Sequence, residues 1–245
     1  MTYETQKNTI EFKVYAKNAL FTDPITKIGG EKCSYQIPTY EAIKGICKSI
    51  YWKPTFIWIV DEVKVINKIE MESKGMRPIK YDGGNELSFY TYLKNVEYFV
   101  RAHFEWNNFR IDLQQDQNSG KHFEIANRAL AKGGRQDIFL GTRECQGYVQ
   151  PCTFNERKSE YDDVKELVFG NMFHSFSYPN ENGTNKLKKY FWNAKMQRGI
   201  INFPQHNNIK QITDVREIST DKRYIFDTNF LCVHQEYENI IDKEN

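Results

Sequence analysis

The sequence predicts an α+β fold, and three observations carry that prediction. Two segments have helical spacing: Tyr40, Ile43, Ile46, Cys47 and Ile50 fall on one face, and residues 121–132 form a second helix closed by Gly133 and Gly134. Other segments alternate apolar and polar residues as half-buried strands do, residues 9–16 and 95–106 most clearly. The two kinds follow one another as strand, helix, strand, strand, helix, strand.

Residues 9–16 (TIEFKVYA) are the first strand. Residues 20–36 read as loop, punctuated by Asp23-Pro24 and Gly29-Gly30. Pro38 opens the first helix, and Lys53-Pro54 ends it because the residue before a proline is pushed out of helical geometry. Residues 55–66, rich in Ile, Val, Phe and Trp, are the second strand. Residues 68–95 are too long for a turn and hold Gly75, Pro78, Gly83 and Gly84 at their centre, which predicts an inserted hairpin or arm. Residues 95–106 are the next strand, 109–120 a polar loop and 121–132 the second helix, followed by short strands at 138–140 and 147–154. This order is that of a ferredoxin-like (RRM-like) domain, with helices on one face of an antiparallel sheet. Beyond it lie strand-like pieces at 171–178, 190–196 and 200–203 and a weak helix in the tail. The reading is a ferredoxin-like N-terminal domain with an inserted hairpin (1–155) and a small antiparallel β-sheet C-terminal domain (156–245).

The chain has 245 residues, 40% apolar and 27% charged, which suits a soluble globular protein able to bury a sizeable core. Its longest apolar run, residues 56–60, is too short to span a bilayer, and residues 1–7 lack the apolar core of a signal peptide. A cytoplasmic protein is the expectation. Cysteines 33, 47, 145, 152 and 232 are scattered without a CxxC pair, and read as reduced and structural. The histidines are equally dispersed, so no metal site and no cofactor is expected. Phosphate-binding GxxxxGK, HExxH and GxSxG motifs are absent.

The net charge of +2 hides an uneven distribution. Lysines 13, 17, 27, 32, 44, 48 and 53 crowd residues 12–53. Residues 182–213 carry Lys186, Lys188, Lys189, Lys195, Arg198 and Lys210 with no acid, interleaved with Tyr190, Phe191, Trp192 and Phe203. Cations that follow a backbone and rings that stack on bases suit single-stranded nucleic acid. The competing reading is solvated surface over core aromatics. Gly133-Gly134-Arg135, with Gly141 and Arg143 following, is a glycine-rich stretch whose amides can approach a nucleic-acid backbone. A helix cap and turn explain Gly133 and Gly134 equally well and leave Gly141 and Gly147 unexplained.

Lys121 and His122 stand at the start of the second helix, where exposed amides already favour an anion. A bound phosphate reconciles them with that position; a solvated first turn is the plainer alternative. Tyr51 ends the first helix, and in the predicted order it approaches Lys121 and His122. Tyrosine, lysine and histidine suffice for metal-free RNA cleavage. A 2′-hydroxyl loses a proton, the leaving 5′-oxygen gains one, and the phosphorane needs a cation. These residues leave open whether His122 or Tyr51 is the acid or the base.

The strings ALFTDPITKIGGEK (residues 19–32), SIYWKPT (49–55), GKH (120–122) and GRQDIFLG (134–141) resemble the type I-C (Dvulg) form of the fifth CRISPR-associated family, a repeat-associated mysterious protein, or RAMP. The resemblance runs over about residues 9–154 and more loosely to 204. It implies a metal-independent endoribonuclease that cuts the CRISPR precursor transcript at the base of the repeat hairpin and leaves a 2′,3′-cyclic phosphate. It places the catalytic residues on Tyr51, Lys121 and His122. It also implies lasting attachment to the crRNA 5′ handle in an interference complex, beside the backbone and large subunits. Lys27, Lys32, Lys53, Arg135, Arg143, Lys186, Lys188 and Lys189 are the candidate RNA-binding residues. The alternative is a non-catalytic crRNA-binding subunit of the same complex. A metal-dependent nuclease is a third, distant reading that lacks a carboxylate or histidine cluster.

Overall fold

A computed structural model describes residues 8–218, so the helix expected in the tail lies outside the described residues. In chain order it has β1 (Thr9–Ala19), the short α1 (Pro24–Ile28), α2 (Tyr40–Ile50), β2 (Phe56–Val65), β3 (Glu70–Met76) and β4 (Ser88–Trp106). There follow α3 (Ser119–Ala131), β5 (Ile138–Phe139), β6 (Gln146–Pro151), β7 (Leu167–Ser177), the short α4 (Pro179–Asn182), β8 (Lys186–Met196), β9 (Ile200–Asn202) and β10 (Gln211–Glu217). The chain is a mixed α/β fold made mostly of antiparallel sheet with few helices.

The larger sheet has the order β5-β6-β1-β4-β2-β9, and β3 adds to one end of β4. Every pairing between its named strands is antiparallel. Alternation along the strands sends Phe12, Val14, Trp58, Val60, Val100 and Phe104 to one face. There they join Ile43, Ile46 and Ile50 of α2 and Ala126 and Leu130 of α3 in a single core. Removing such side chains from water is the main force holding helices to sheet.

The opposite face is charged. Arg101 reaches Glu11 at 2.8 Å and Glu62 at 2.6 Å, and His103 pairs with Asp61 at 2.9 Å. Its centre is therefore a ladder of mutually satisfied ion pairs with acids in excess.

Three elements differ from the sequence expectation. The 20–36 loop holds α1, started by the Asp23 side chain accepting from the Ile25 amide at 2.9 Å. The arm is β3 paired with the front of β4, and β4 runs without a break through Asn95. Asn95 takes a left-handed φ of 49° where β4 changes its neighbour from β3 to β2. Helix α3 begins at Ser119, so Lys121 and His122 lie inside its first turn and a half, not at its first residues.

Gly141 and Gly147, unexplained by sequence, are required by close packing. Gly141 has φ +92°, and a Cβ there would collide with the Leu20 carbonyl. A Cβ on Gly147 would strike Leu140 and approach the Tyr15 carbonyl at 2.9 Å.

The second sheet has the order β10-β8-β7. It meets the first through α2, where the buried Lys44 ammonium pairs with Glu181 of α4 at 2.6 Å and Glu41 accepts from the Phe176 amide at 3.2 Å. Met172, Ala194, Met196, Ile201 and Phe203 belong to the same core as β1 and β4.

Candidate active site

Helix α2 delivers Tyr51 and helix α3 delivers Lys121 and His122. The last carbonyls of a helix lack intrahelical donors. Those of α2 find them in the glycine stretch: Arg135 N donates to Ser49 O at 3.1 Å and Ile50 O at 3.2 Å, and Gln136 N donates to Ser49 O at 3.1 Å. Trp58 Nε1 donates to Tyr51 O at 2.7 Å. The backbone at Tyr51 is thus fixed from both sides. At the start of α3, the Asn118 side chain accepts from Lys121 N at 3.0 Å, an N-cap that aligns the turn carrying both catalytic candidates.

Tyr51 Oη lies 2.8 Å from His122 Nδ1, and His122 Nε2 lies 2.8 Å from the Asp116 carbonyl oxygen. A carbonyl only accepts, so Nε2 carries the hydrogen and, in a neutral ring, Nδ1 offers a lone pair to the Tyr51 hydroxyl. The arrangement is one directed chain: tyrosine donates to histidine, and histidine donates to the Asp116 carbonyl. His122 is 0% exposed and is walled by the rings of Phe56, Phe104 and Trp106. It meets the surroundings only through its hydrogen-bond partners.

Asp116 is the residue that sequence reasoning missed. It ends a 3-10 turn (Ile111–Asp116) in the stretch read as polar loop. Its carboxylate binds the Lys121 ammonium, accepts from Thr55 Oγ1 at 2.8 Å and lies 3.3 Å from His122 Nε2. The Lys121 hydrogen bond, then that of Thr55, hold its carboxyl below the usual range. The same contact raises the Lys121 ammonium above its ordinary value. Burial raises the Tyr51 phenol, the Asp116 charge raises it further, and Arg135 and Lys121 oppose this. The only sequence clue was an acid five residues before Lys121.

Tyr51 is 1% exposed because neighbours cover it, among them Arg135, whose guanidinium lies 4.8 Å from the ring centre. Arg135 itself is exposed. Of the sequence-predicted residues, Tyr51, Lys121, His122 and Arg135 come together, and exposed Lys53 follows Tyr51 in the chain. The others lie on separate elements. Lys27 is on α1, Lys32 sits over the Tyr90 ring at 5.0 Å, and Arg143 is in the β5–β6 turn. Lys186, Lys188 and Lys189 are on β8, where β10 sets Asp214 3.0 Å from Lys186. The aromatics of that block serve packing: Tyr190 stacks on His206 at 4.5 Å, and Trp192 meets Phe203 at 5.5 Å.

Among the described residues no group of three His, Cys, Asp or Glu side chains is placed to hold a metal ion. Cys33, Cys47, Cys145 and Cys152 are free thiols. No helix among the described residues is long and apolar enough to cross a membrane.

Comparison with known proteins fits this site into a family. The model of the Cas5d group, described as CRISPR-associated protein Cas5, matches residues 9–204. A CRISPR pre-crRNA endoribonuclease Cas5d of Mannheimia succiniciproducens is 26% identical over 226 residues, covering 80% of this chain and 95% of that protein. A protein of the same name from Thermus thermophilus is 28% identical over 152 residues, covering 58% of this chain and 63% of that one. The crystal structure of a CRISPR-associated protein, 38% identical, has a TM-score of 0.72 and is matched over 84% of this chain and 96% of that one. The chain belongs to the Cas5d family of CRISPR-associated proteins.

Proposed function

We propose that this chain is a metal-independent endoribonuclease that cuts CRISPR precursor RNA at the base of the repeat hairpin. The observation that carries the reading is the directed chain from Tyr51 through His122 to the Asp116 carbonyl, with the Lys121 ammonium beside it. The relatives named pre-crRNA endoribonuclease support the same substrate class. Tyr51 Oη takes the proton of the attacking 2′-hydroxyl while its own proton passes to His122 Nδ1. The 2′-oxygen bonds to phosphorus, the 5′-oxygen leaves and takes a proton from a solvent water, and a 2′,3′-cyclic phosphate remains; the hydroxide left behind takes back the proton that His122 returns through Tyr51, which restores both residues. Lys121 neutralises the charge that builds on the phosphorane. The Asp116 carboxylate, 3.3 Å from Nε2, balances the imidazolium that forms in the buried His122 pocket.

In this mechanism His122 never touches the substrate, and Tyr51 is the group that meets the ribose. Arg135 is the movable cover: the scissile phosphate offers its guanidinium a stronger partner than the ring, and Tyr51 is uncovered as RNA arrives. Lys53 lies on the same approach. Lys27, Lys32, Arg143, Lys186, Lys188 and Lys189 hold the RNA away from the cut, where the crRNA 5′ handle stays bound beside the backbone and large subunits of a cytoplasmic interference complex.

The strand order β6-β1-β4-β2 with α2 and α3 on one face supports a ferredoxin-like part, 1–155, that carries the cutting residues. The β10-β8-β7 sheet supports a second part, 156–245. A second reading, a non-catalytic crRNA-binding subunit, is favoured by the coverage of Tyr51.

The test is incubation of the purified protein, with EDTA, on its repeat RNA and on the same RNA carrying one 2′-deoxyribose at the cut. A single cut in the first and none in the second is expected. Tight binding without a cut establishes the non-catalytic subunit instead.

A further inference from the structure

A cleft of about 520 Å³ begins at the glycine stretch and runs around the β5–β6 edge of the larger sheet. Its walls include Lys132, Gly133, Gly134 and Arg135 on one side and Gln146 and Tyr148 on the other. The volume is that of an ordinary small-ligand site. Arg135 belongs to this wall and its guanidinium also lies over the Tyr51 ring, so one side chain links the cleft to the candidate catalytic tyrosine.

Tyr148 stands out in the cleft. It is 55% exposed, on the outward face of β6, where Gly147 and Val149 on either side of it are buried. Gly147 leaves no room for a side chain beneath it, which presses β6 against Leu140 and the Tyr15 carbonyl. Tyr15 lies opposite Tyr148 in register, with ring centroids 5.8 Å apart, and Lys13 Nζ lies 5.7 Å from the Tyr15 ring centre. The ring is therefore supported from one side and open on the other. The centre of the same sheet face is filled by the acid-rich ladder around Arg101, which repels phosphate. Arg101 there also covers the Phe154 ring, which is buried, whereas the edge carrying Tyr148, Tyr15 and Lys13 sets an exposed ring beside a cation, with the Asp137 carboxylate further along the cleft wall.

We infer that this cleft is a subsite for the nucleobase next to the scissile phosphate, with Tyr148 as its stacking platform and Arg135 joining it to the cutting site. The ligand is an unpaired base of RNA, recognised by its π-face and not by its edge. The inference rests on the endoribonuclease reading for its position beside the cut, but not for the stack itself. An aromatic platform accepts any base, so the subsite secures the strand and leaves sequence choice to other contacts.

The test uses the full chain and its repeat RNA, made uncleavable by a 2′-deoxyribose at the cut and carrying 2-aminopurine on either side of it. Wild-type protein should quench the 2-aminopurine on one side. Tyr148→Ala should abolish that quenching and weaken binding about 5- to 150-fold, the range for one base–aromatic stack. Tyr148→Phe and Tyr148→Trp should retain both. On cleavable RNA, Tyr148→Ala should raise the half-saturating protein concentration by the same factor. Wild-type affinity and quenching in Tyr148→Ala overturn the inference even where cutting is intact. Loss of quenching and affinity in a chain that does not cut supports the stacking site and rejects the nuclease reading. Failure of wild-type protein to bind the RNA overturns both.

Discussion

Tyr51→Phe removes one oxygen atom and tests the proton path directly. The phenyl ring still fits beside Phe56 and beneath Arg135, so packing and RNA approach are retained. What is lost is the donor to His122 Nδ1, the one found among the described residues, in a ring that is 0% exposed. An orphaned buried acceptor costs about 1–3 kcal/mol. In a chain of this size each kcal/mol moves the melting temperature by about 2–4 °C, so a fall of about 2–12 °C is expected by calorimetry. Loss of a positioned acid–base group slows the chemical step about 10²- to 10⁴-fold. Single-turnover cleavage should show that loss, while affinity for deoxy-blocked repeat RNA stays at the wild-type value. Cleavage at the wild-type rate would remove Tyr51 from the proton path. A drop in affinity matching the drop in rate would mean that the hydroxyl binds RNA and transfers no proton.

Asp116→Asn keeps the carbonyl that receives His122 but removes the charge that holds Lys121. Cleavage should slow while RNA affinity holds or rises, and the alkaline limb of the rate profile should move to lower pH, because burial and then the Asp116 charge hold the Tyr51 phenol up; an unchanged profile would contradict this. His174 is pushed down to about 3, chiefly by burial and next by His206. The unfolded chain, with histidine near 6.5, then binds the proton first, so this stability is full above about pH 6.5 and is lost as pH falls toward 3. Urea unfolding at stepped pH should show the slope, and His174→Gln should flatten it. Gly141→Ala places a methyl against the Leu20 carbonyl at φ +92° and should cost more than the usual ~1–3 kcal/mol of such backbone strain, read by thermal unfolding.

Helix α2 was legible because its five apolar residues face one way and Pro54 follows it, and both features are local. Asp116 was not, since its part in the site is played half by a backbone carbonyl that every residue owns and half by contacts made after the chain turns back. The charge pattern of the acid-free block at 182–213 was only half legible for a related reason. Counted along the chain it is purely basic, but β10 lays Asp214 beside Lys186, and Glu166 reaches Lys195 at 3.4 Å. Its aromatics followed the plainer reading, with Tyr190 and Phe203 buried. β4 was cut in two at Asn95 because a left-handed residue in polar company reads as an end; only pairing shows that one strand changes partners there.

Helix α2 has a sheet on either side, and β9 returns from the second part to the far edge of the first sheet. A truncation after residue 155 would strip that edge, open the core around Ile201 and Phe203, and leave the Lys44 ammonium without Glu181. An abandoned buried charge is costly to keep. The two sheets should consequently melt in one cooperative transition, and residues 1–155 should not survive as an excised fragment. The end of α2, where Tyr51 stands, is thus held in place by both sheets at once.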